Sequence, residues 1–67
     1  MSAEFWRLNR VIAEVGLKRS MIYRLIAEKK FPGQFKLTGD RAIAWSADEV
    51  RQWKAAKLAE RDSQRAA

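Results

Sequence analysis

The spacing of apolar residues along the chain indicates three helices and one pair of strands. Residues 8–15 carry apolar side chains at i, i+3, i+4 and i+7, a spacing that predicts a one-sided helix. Asn9 is its expected N-cap, and Gly16 follows where a helix often ends on a residue with positive φ. Immediately before this helix, residues 5–7 (Phe-Trp-Arg) are expected to form a short extended segment whose aromatic rings cover the core.

A second, shorter helix is predicted after the turn at Gly16. It begins at Arg19 or Ser20, because Lys18 would point into the apolar face if it were helical. It runs to about Lys29 and ends before a Phe-Pro dipeptide, since the residue before a proline is pushed out of the helical conformation. One face carries Ile22, Leu25 and Ile26, and the other presents Ser20, Met21, Tyr23, Arg24 and Ala27. Two helices joined by a short turn, the second with such a polar face, are typical of a helix-turn-helix.

From Gln34 to Trp45 the apolar period shortens towards two, which predicts a β-hairpin with Gly39-Asp40 at its turn. Two registers fit this pattern. A two-residue loop pairs Thr38 with Arg41 and puts Phe35, Leu37, Ala42 and Ala44 on the inner face. A three-residue loop instead puts Ile43 and Trp45 beside Leu37 and Phe35, and this register buries more apolar surface.

A third helix is predicted by the capping-box sequence Ser46-Ala-Asp-Glu49, and Val50 and Trp53 form its inner face. Beyond Leu58 the apolar stripe ends, so residues 59–67 are expected to fray. The three tryptophans, Trp6, Trp45 and Trp53, are expected in the core rather than as platforms that stack on bases. The predicted fold is mainly α with a small β-hairpin: a winged helix-turn-helix in which the hairpin is the two-stranded wing.

The positive charge is concentrated in the second helix and the hairpin. The formal net charge is +6, and residues 18–41 contribute +5 of it, because seven basic side chains face two acidic ones there. Residues 1–17 sum to zero, and residues 42–67 contribute +1. Such a basic region, confined to the predicted DNA-reading elements, favours a phosphate-binding surface over a merely solubilising one.

Length and composition exclude several other classes. A chain of 67 residues makes one domain, and because a domain of this size buries only about 60% of its unfolded surface, a deep catalytic cleft is not expected. The absence of cysteine and histidine removes the usual zinc ligands, thiol nucleophiles and imidazole bases. We therefore predict no enzymatic activity, no cofactor, no metal and no small-molecule ligand. With no signal-peptide pattern and no stretch of roughly 18 apolar residues, we expect a soluble cytoplasmic protein.

The order helix, turn, helix, β-hairpin, helix resembles the small winged helix-turn-helix proteins of the MerR and phage excisionase type. Within that type, positions 7–53 resemble the AlpA family of prophage regulators. The resemblance rests on Arg7-Leu8, Gly16-Leu17, Arg19-Ser20, Ile22-Tyr23-Arg24-Leu25-Ile26, Phe31-Pro32, Lys36-Leu37, Arg41, Trp45, Glu49-Val50 and Trp53. It implies a small DNA-binding protein of a bacterial mobile element that regulates transcription and often influences excision of the element.

Three positions depart from the pattern of that family. Lys18 replaces the serine that usually caps the second helix, which predicts a weaker N-cap. Lys29 replaces the glycine that often follows this helix, which predicts an end without the left-handed glycine cap. Asp40 puts an acid at the tip of the wing, where it opposes close contact with a phosphate.

The second helix and the wing are predicted to bind double-stranded DNA. Ser20, Tyr23 and Arg24 are expected in the major groove, with Arg24 on a guanine edge and Tyr23 on a phosphate or a thymine methyl group. Met21 is assigned to the groove in preference to the core. Two bases at the start of the helix, Lys18 and Arg19, are expected to hold phosphates. Three wing residues, Lys36, Thr38 and Arg41, are expected at the DNA backbone or the adjacent minor groove.

Two other functions stay open on the sequence alone. One is an excisionase-like protein that bends DNA, and the other is a protein-interaction module whose basic face binds an acidic partner. RNA binding is less favoured, because the hairpin offers few aromatic side chains for stacking. Further copies of the protein are expected on the same DNA, since a single recognition helix reads only a few base pairs.

Overall fold

The computed structural model describes residues 3–39 and 42–66, with side chains through Gln64. Within these ranges the chain forms three helices and a three-stranded antiparallel sheet. The elements are β1 (Phe5–Trp6), α1 (Leu8–Val15), α2 (Arg19–Ala27), β2 (Phe35–Thr38), β3 (Ala42–Ser46) and α3 (Ala47–Ala66). The strand order is β1-β3-β2, so the hairpin gains the N-terminal segment as a third strand. The fold is mainly α with a small sheet and is winged-helix-like, as predicted.

The core is built around tryptophan. Trp6 and Trp45 are buried, and Trp53 packs against the same cluster, which confirms the prediction that the tryptophans serve the core. The other buried members of the cluster are Val11, Ile22, Phe31, Ala47 and Val50. Every element except β2 therefore supplies a core residue or contacts the core.

Two indole N–H groups hold the segment between α2 and the wing. Trp45 Nε1 donates to the carbonyl oxygen of Pro32 at 3.1 Å, and Trp53 Nε1 donates to the carbonyl oxygen of Lys30 at 2.8 Å. Between these two carbonyls, the buried ring of Phe31 meets Trp53 edge-on, with 4.9 Å between ring centroids. The end of α2 and the start of the wing are thus both fixed to the core.

Helix α1 covers Leu8–Val15, the range predicted from the apolar spacing, and Asn9 lies inside the helix. The prediction of Asn9 as N-cap is therefore wrong. Arg7 is the N-cap, with extended backbone and no side-chain capping bond. Because β1 holds the chain extended through Trp6, which pairs with Trp45, only Arg7 is left between strand and helix. The C-terminal end agrees with the sequence, since Gly16 has φ 71° and its N–H bonds to the Ile12 carbonyl.

Helix α2 begins at Arg19, as predicted, after an N-cap at Lys18 that makes no side-chain capping bond. It ends at Ala27, two residues earlier than expected. Lys29 has φ 60°, and its N–H bonds to Ile26 O while the N–H of Lys30 bonds to Leu25 O. These two bonds form a Schellman motif, a left-handed helix end that glycine usually occupies. The helix thus ends without a glycine cap, as expected, but a lysine adopts the left-handed conformation in its place.

The hairpin combines the two registers considered from the sequence. Phe35↔Ala44 and Lys36↔Ile43 follow the two-residue-loop register, whereas Thr38↔Ala42 follows the three-residue-loop register. A bulge between Lys36 and Thr38 absorbs the difference. The predicted turn residues Asp40 and Arg41 lie outside the described residues.

Both registers put Phe35 and Leu37 on the inner face, and this prediction is wrong, because both residues are exposed. The core packs on the face of the sheet that carries the paired residues Trp6 and Trp45. Phe35, opposite Ala44, lies on the other face because side chains alternate along a strand. There its ring meets Phe5 edge-on, with 5.1 Å between centroids.

Helix α3 begins as the sequence predicts and extends further. The Ser46 hydroxyl accepts the N–H of Glu49 at 3.3 Å, which is the serine half of the capping box. The helix continues through Ala66, past the point where its apolar stripe ends. Residues 59–64 are exposed, so the fraying expected for this end stays a prediction about motion. Among the described residues, no helix combines the length and apolar character that crossing a bilayer requires.

Candidate nucleic-acid interface

Helix α2 is anchored along one side and open on the other. Ile22 is fully buried, and Leu25 and Ile26 pack against the core cluster. The opposite face exposes Ser20, Met21 and Arg24. Met21 is 39% exposed and is not a member of the core cluster, and its assignment to the groove stays a prediction. The apolar stripe thus fixes the direction in which the polar side chains point.

Tyr23 lies at the border between the exposed face and the core. Its ring is half-buried and packs edge-on against Trp45, with 6.2 Å between ring centroids. The guanidinium carbon of Arg19, one helical turn earlier, lies over the Tyr23 ring at 5.7 Å from its centroid. Tyr23 is therefore a fixed support for Arg19 as well as a candidate contact.

Two cations stand at the N-terminal end of α2. Lys18 is the N-cap residue and Arg19 is the first helical residue, and both side chains are exposed. Within the part of the chain that the structure describes, neither forms an ion pair. The N-terminus of a helix also presents free backbone N–H groups and the positive end of the helix dipole. This end of α2 is suited to phosphate groups.

Arg24 is the cation at the centre of the exposed face, and it has a carboxylate partner. Its Nε donates to Glu28 Oε2 at 3.3 Å, while Lys30 Nζ lies 3.9 Å from Glu28 Oε1. The Arg24 side chain is still 69% exposed. Glu28 was not assigned to the site from the sequence. Its spacing of four residues from Arg24, which allows an ion pair on a helix surface, was the available signal.

The wing carries the remaining candidate residues. Lys36 and Thr38 are exposed on β2, which is an edge strand of the sheet. Arg41, the third predicted wing residue, lies outside the described residues, as does Asp40. The described link between the wing and α2 is the contact of Tyr23 with Trp45 on β3.

Glu4 in the N-terminal segment and Asp48 in the first turn of α3 share one basic partner, Arg51. Glu4 accepts the Trp6 indole N–H at 3.0 Å and Arg51 Nη2 at 2.6 Å, and these hydrogen bonds lower the pKa of Glu4. Asp48 pairs with the same arginine at 3.1 Å, and the bonds with Glu4 and Asp48 raise the pKa of Arg51. Arg51 is therefore held by acidic side chains of the fold.

Glu14 makes the corresponding link between α1 and α3. It accepts Lys54 Nζ and Arg10 Nε, both at 2.9 Å, and these bonds lower the pKa of Glu14. Arg10 and Arg51 also flank the Trp6 ring, at 4.7 and 5.0 Å from its centroid. The cations of α1 and early α3 thus serve the fold, in contrast to those at the start of α2.

The chain that carries this candidate interface matches a known protein family. The family described as "Prophage CP4-57 regulatory protein (AlpA)" matches residues 4–58, which include every described helix and strand except the last part of α3. The chain belongs to the AlpA family. The family is described as one of prophage regulatory proteins, and the resemblance seen in the sequence is confirmed.

A phage protein is also similar to this AlpA-family chain. "Uncharacterized protein ORF88" of Enterobacteria phage P4 is 42% identical over 57 residues. The match covers 85% of this chain and 64% of the phage protein, so this chain spans less than two thirds of that relative's length. No solved structure matches the chain.

Proposed function

We propose that this protein binds double-stranded DNA with sequence preference, as a regulator of a phage or another mobile element. The observation that carries the proposal is the exposed face of α2. There Lys18 and Arg19 form no ion pair among the described residues, whereas the bases of α1 and early α3 are paired with acids. Two exposed cations without an acidic partner in the described part of the chain, at the start of a helix whose other face is buried in the core, form a surface that suits phosphates.

The proposal assigns different tasks to the two elements. Arg24, with Ser20 and Tyr23 beside it, contacts base edges in the major groove, and Met21 packs against the bases. Lys18 and Arg19 hold phosphates at the helix start, and the wing residues Lys36, Thr38 and Arg41 contact the DNA backbone or the adjacent minor groove. The whole chain acts as one cytoplasmic DNA-binding domain and has no enzymatic role.

Salt-dependent binding tests the interface as a whole. If the protein neutralises about four to six phosphates, log K for a duplex falls with log salt with a slope of about 0.9 per phosphate. We expect retention of duplex DNA at low salt and steep loss as salt rises. No duplex binding at low salt, or a flat slope, would contradict DNA binding and favour a protein partner for the basic face.

Substitutions separate base contacts from phosphate contacts. Arg24→Ala should cost about 1 to 3 kcal/mol on the preferred duplex and relax preference at particular base pairs. Lys36→Ala should weaken preferred and random duplexes about equally, because phosphate contacts carry no sequence information. Arg61→Ala, at an exposed α3 residue paired with Asp62, removes the same charge away from α2 and the wing and should change little. Equal losses on both duplexes for Arg24→Ala would remove it as a base contact.

A DNA-bending, excisionase-like role is the second candidate within the same family. It differs from simple transcriptional regulation in requiring DNA to be deformed when the protein binds. A circular-permutation mobility assay on the selected duplex measures the bend. Unchanged mobility at all site positions would favour the simple regulator.

A further inference from the structure

The most unusual charge on the proposed DNA-binding face is a negative one. Glu28 is the C-cap residue of α2, and its side chain is 40% exposed. An acid at a helix C-terminus opposes the helix dipole, and an acid on a DNA-binding face repels phosphates. Both the helix dipole and the attraction between this face and DNA phosphates disfavour a carboxylate at this position.

The contacts of Glu28 indicate what it does. One carboxylate oxygen accepts the Nε–H of Arg24 at 3.3 Å, and the other lies 3.9 Å from Lys30 Nζ. A guanidinium carries five N–H donors, and the Nε bond uses one of them. The four N–H groups on the terminal nitrogens of Arg24 stay available, and these can form a bidentate contact with guanine O6 and N7.

We infer that Glu28 is a positioning residue for base recognition: its carboxylate holds the Arg24 side chain so that the terminal nitrogens face a guanine edge. This inference rests on the proposed function. In water such an exposed pair is weak, but in a groove that excludes water the same charge-assisted bond strengthens. An arginine oriented in advance also loses less side-chain freedom when it binds.

A positioning role for Glu28 predicts opposite changes in two quantities: affinity for random DNA rises, and the preference for the selected duplex falls. Glu28→Gln removes a negative charge, so affinity for a random duplex should rise at low salt. The amide is a weaker acceptor for Arg24, so the ratio of affinities for the preferred and random duplexes should fall by about three- to tenfold, the order of one hydrogen bond. A merely repulsive carboxylate would raise both affinities together and leave the ratio unchanged.

Two further variants separate charge from geometry. Glu60→Gln makes the same charge change on α3, where Glu60 pairs with Lys57 at 3.2 Å, and should leave the affinity ratio unchanged. Glu28→Asp keeps the charge but shortens the side chain by one methylene, so it should lower the affinity ratio without raising affinity for random DNA. Circular dichroism confirms folding of each variant.

The experiment selects a preferred duplex from a random library with the unmodified protein and then measures all variants on it and on random DNA. It includes Arg24→Ala with and without Glu28→Gln. Once Arg24 is absent, Glu28→Gln should no longer change the affinity ratio. An equal fall of the ratio in the Arg24→Ala background, or an unchanged ratio in both Glu28 variants, overturns the positioning role. If the unmodified protein shows no preference, or Arg24→Ala leaves the preference intact, the proposed base contact itself fails.

Discussion

At the scale of single residues, Lys29 is the position where sequence and conformation conflict. Its φ of 60° lies in the left-handed region, where a residue with a Cβ pays about 1–2 kcal/mol relative to the right-handed form. The Schellman bonds from Lys29 and Lys30 and the Trp53 bond to the Lys30 carbonyl hold the backbone there. The surrounding structure thus imposes a conformation that the residue itself disfavours.

Replacing Lys29 with glycine should therefore stabilise the protein. Relief of the left-handed strain exceeds the entropy that glycine adds to the unfolded chain, about 0.5–1 kcal/mol, so we expect a net gain of about 0.5–1 kcal/mol. For a domain of this size the melting temperature should rise by about 2–8 °C. Thermal denaturation followed by circular dichroism measures it.

Lys29→Ala is the matched control, because it removes the same charge but keeps the Cβ atom. It should show little of the gain. A melting temperature that rises equally for alanine and glycine would assign the effect to charge repulsion rather than to backbone strain.

At the scale of elements, the three helices and the hairpin follow from sequence, whereas the inner face of the hairpin does not. The i, i+3, i+4 spacing placed α1 and the start of α2 correctly, because each helix buries one stripe against a single core. The inner face of the hairpin depends on its partners. Once β1 pairs with β3 through Trp6 and Trp45, the core face is decided, and Phe35 must lie on the other side. The sequence of the hairpin itself contains no signal for the pairing of β1 with β3, because the two strands lie far apart in the chain.

The candidate site could likewise be predicted from the sequence only in part. The sequence identified which face of α2 is exposed, since Ile22, Leu25 and Ile26 define the buried side. It did not assign the Glu28 contact to the site, because an i+4 pair on a surface helix is usually only a solvated ion pair. Its meaning depends on the side chain lying on the exposed face beside Arg24.

The packing of α1 on α3 is expected to depend on pH through Glu14. Its pKa is lowered from 4.5 in the folded protein by the bonds from Lys54 and Arg10, so the folded state favours the carboxylate. This contribution to stability is fully present above pH 4.5 and is lost as pH falls through the lowered folded-state pKa. Glu4, whose pKa is lowered by bonds from Trp6 and Arg51, contributes in the same direction.

Glu14→Gln should consequently lower the melting temperature at pH 7 and show a smaller loss of stability between pH 5 and pH 3 than the unmodified protein. Urea unfolding at a series of pH values measures both effects. Glu60→Gln serves as the control, because its Lys57 partner lies within the same helix and links no two elements. A pH profile identical in Glu14→Gln and the unmodified protein would contradict the role of this link.

At the scale of the whole molecule, small size and strong charge together predict how specificity arises. A lone DNA-binding module of this kind buries roughly 600 to 1,000 Å² on DNA, so one copy should bind weakly. The net charge of +6 makes free copies repel each other, whereas DNA phosphates neutralise that charge. We therefore expect copies to associate on DNA rather than in free solution.

Binding to two adjacent sites should be cooperative, with neighbours touching through the wing or the third helix. Each surface offers an exposed apolar residue: Phe35 on the wing, 36% exposed, and Leu58 on α3, 53% exposed. Phe35→Ser or Leu58→Ser, whichever lies at the contact, should abolish cooperativity and leave affinity for a single site unchanged. Binding isotherms on duplexes with one and two sites measure both quantities.

Inserting about five base pairs, half a helical turn, puts the sites on opposite sides of the DNA and should also abolish cooperativity. Independent binding at every spacing would show instead that each copy finds its site alone.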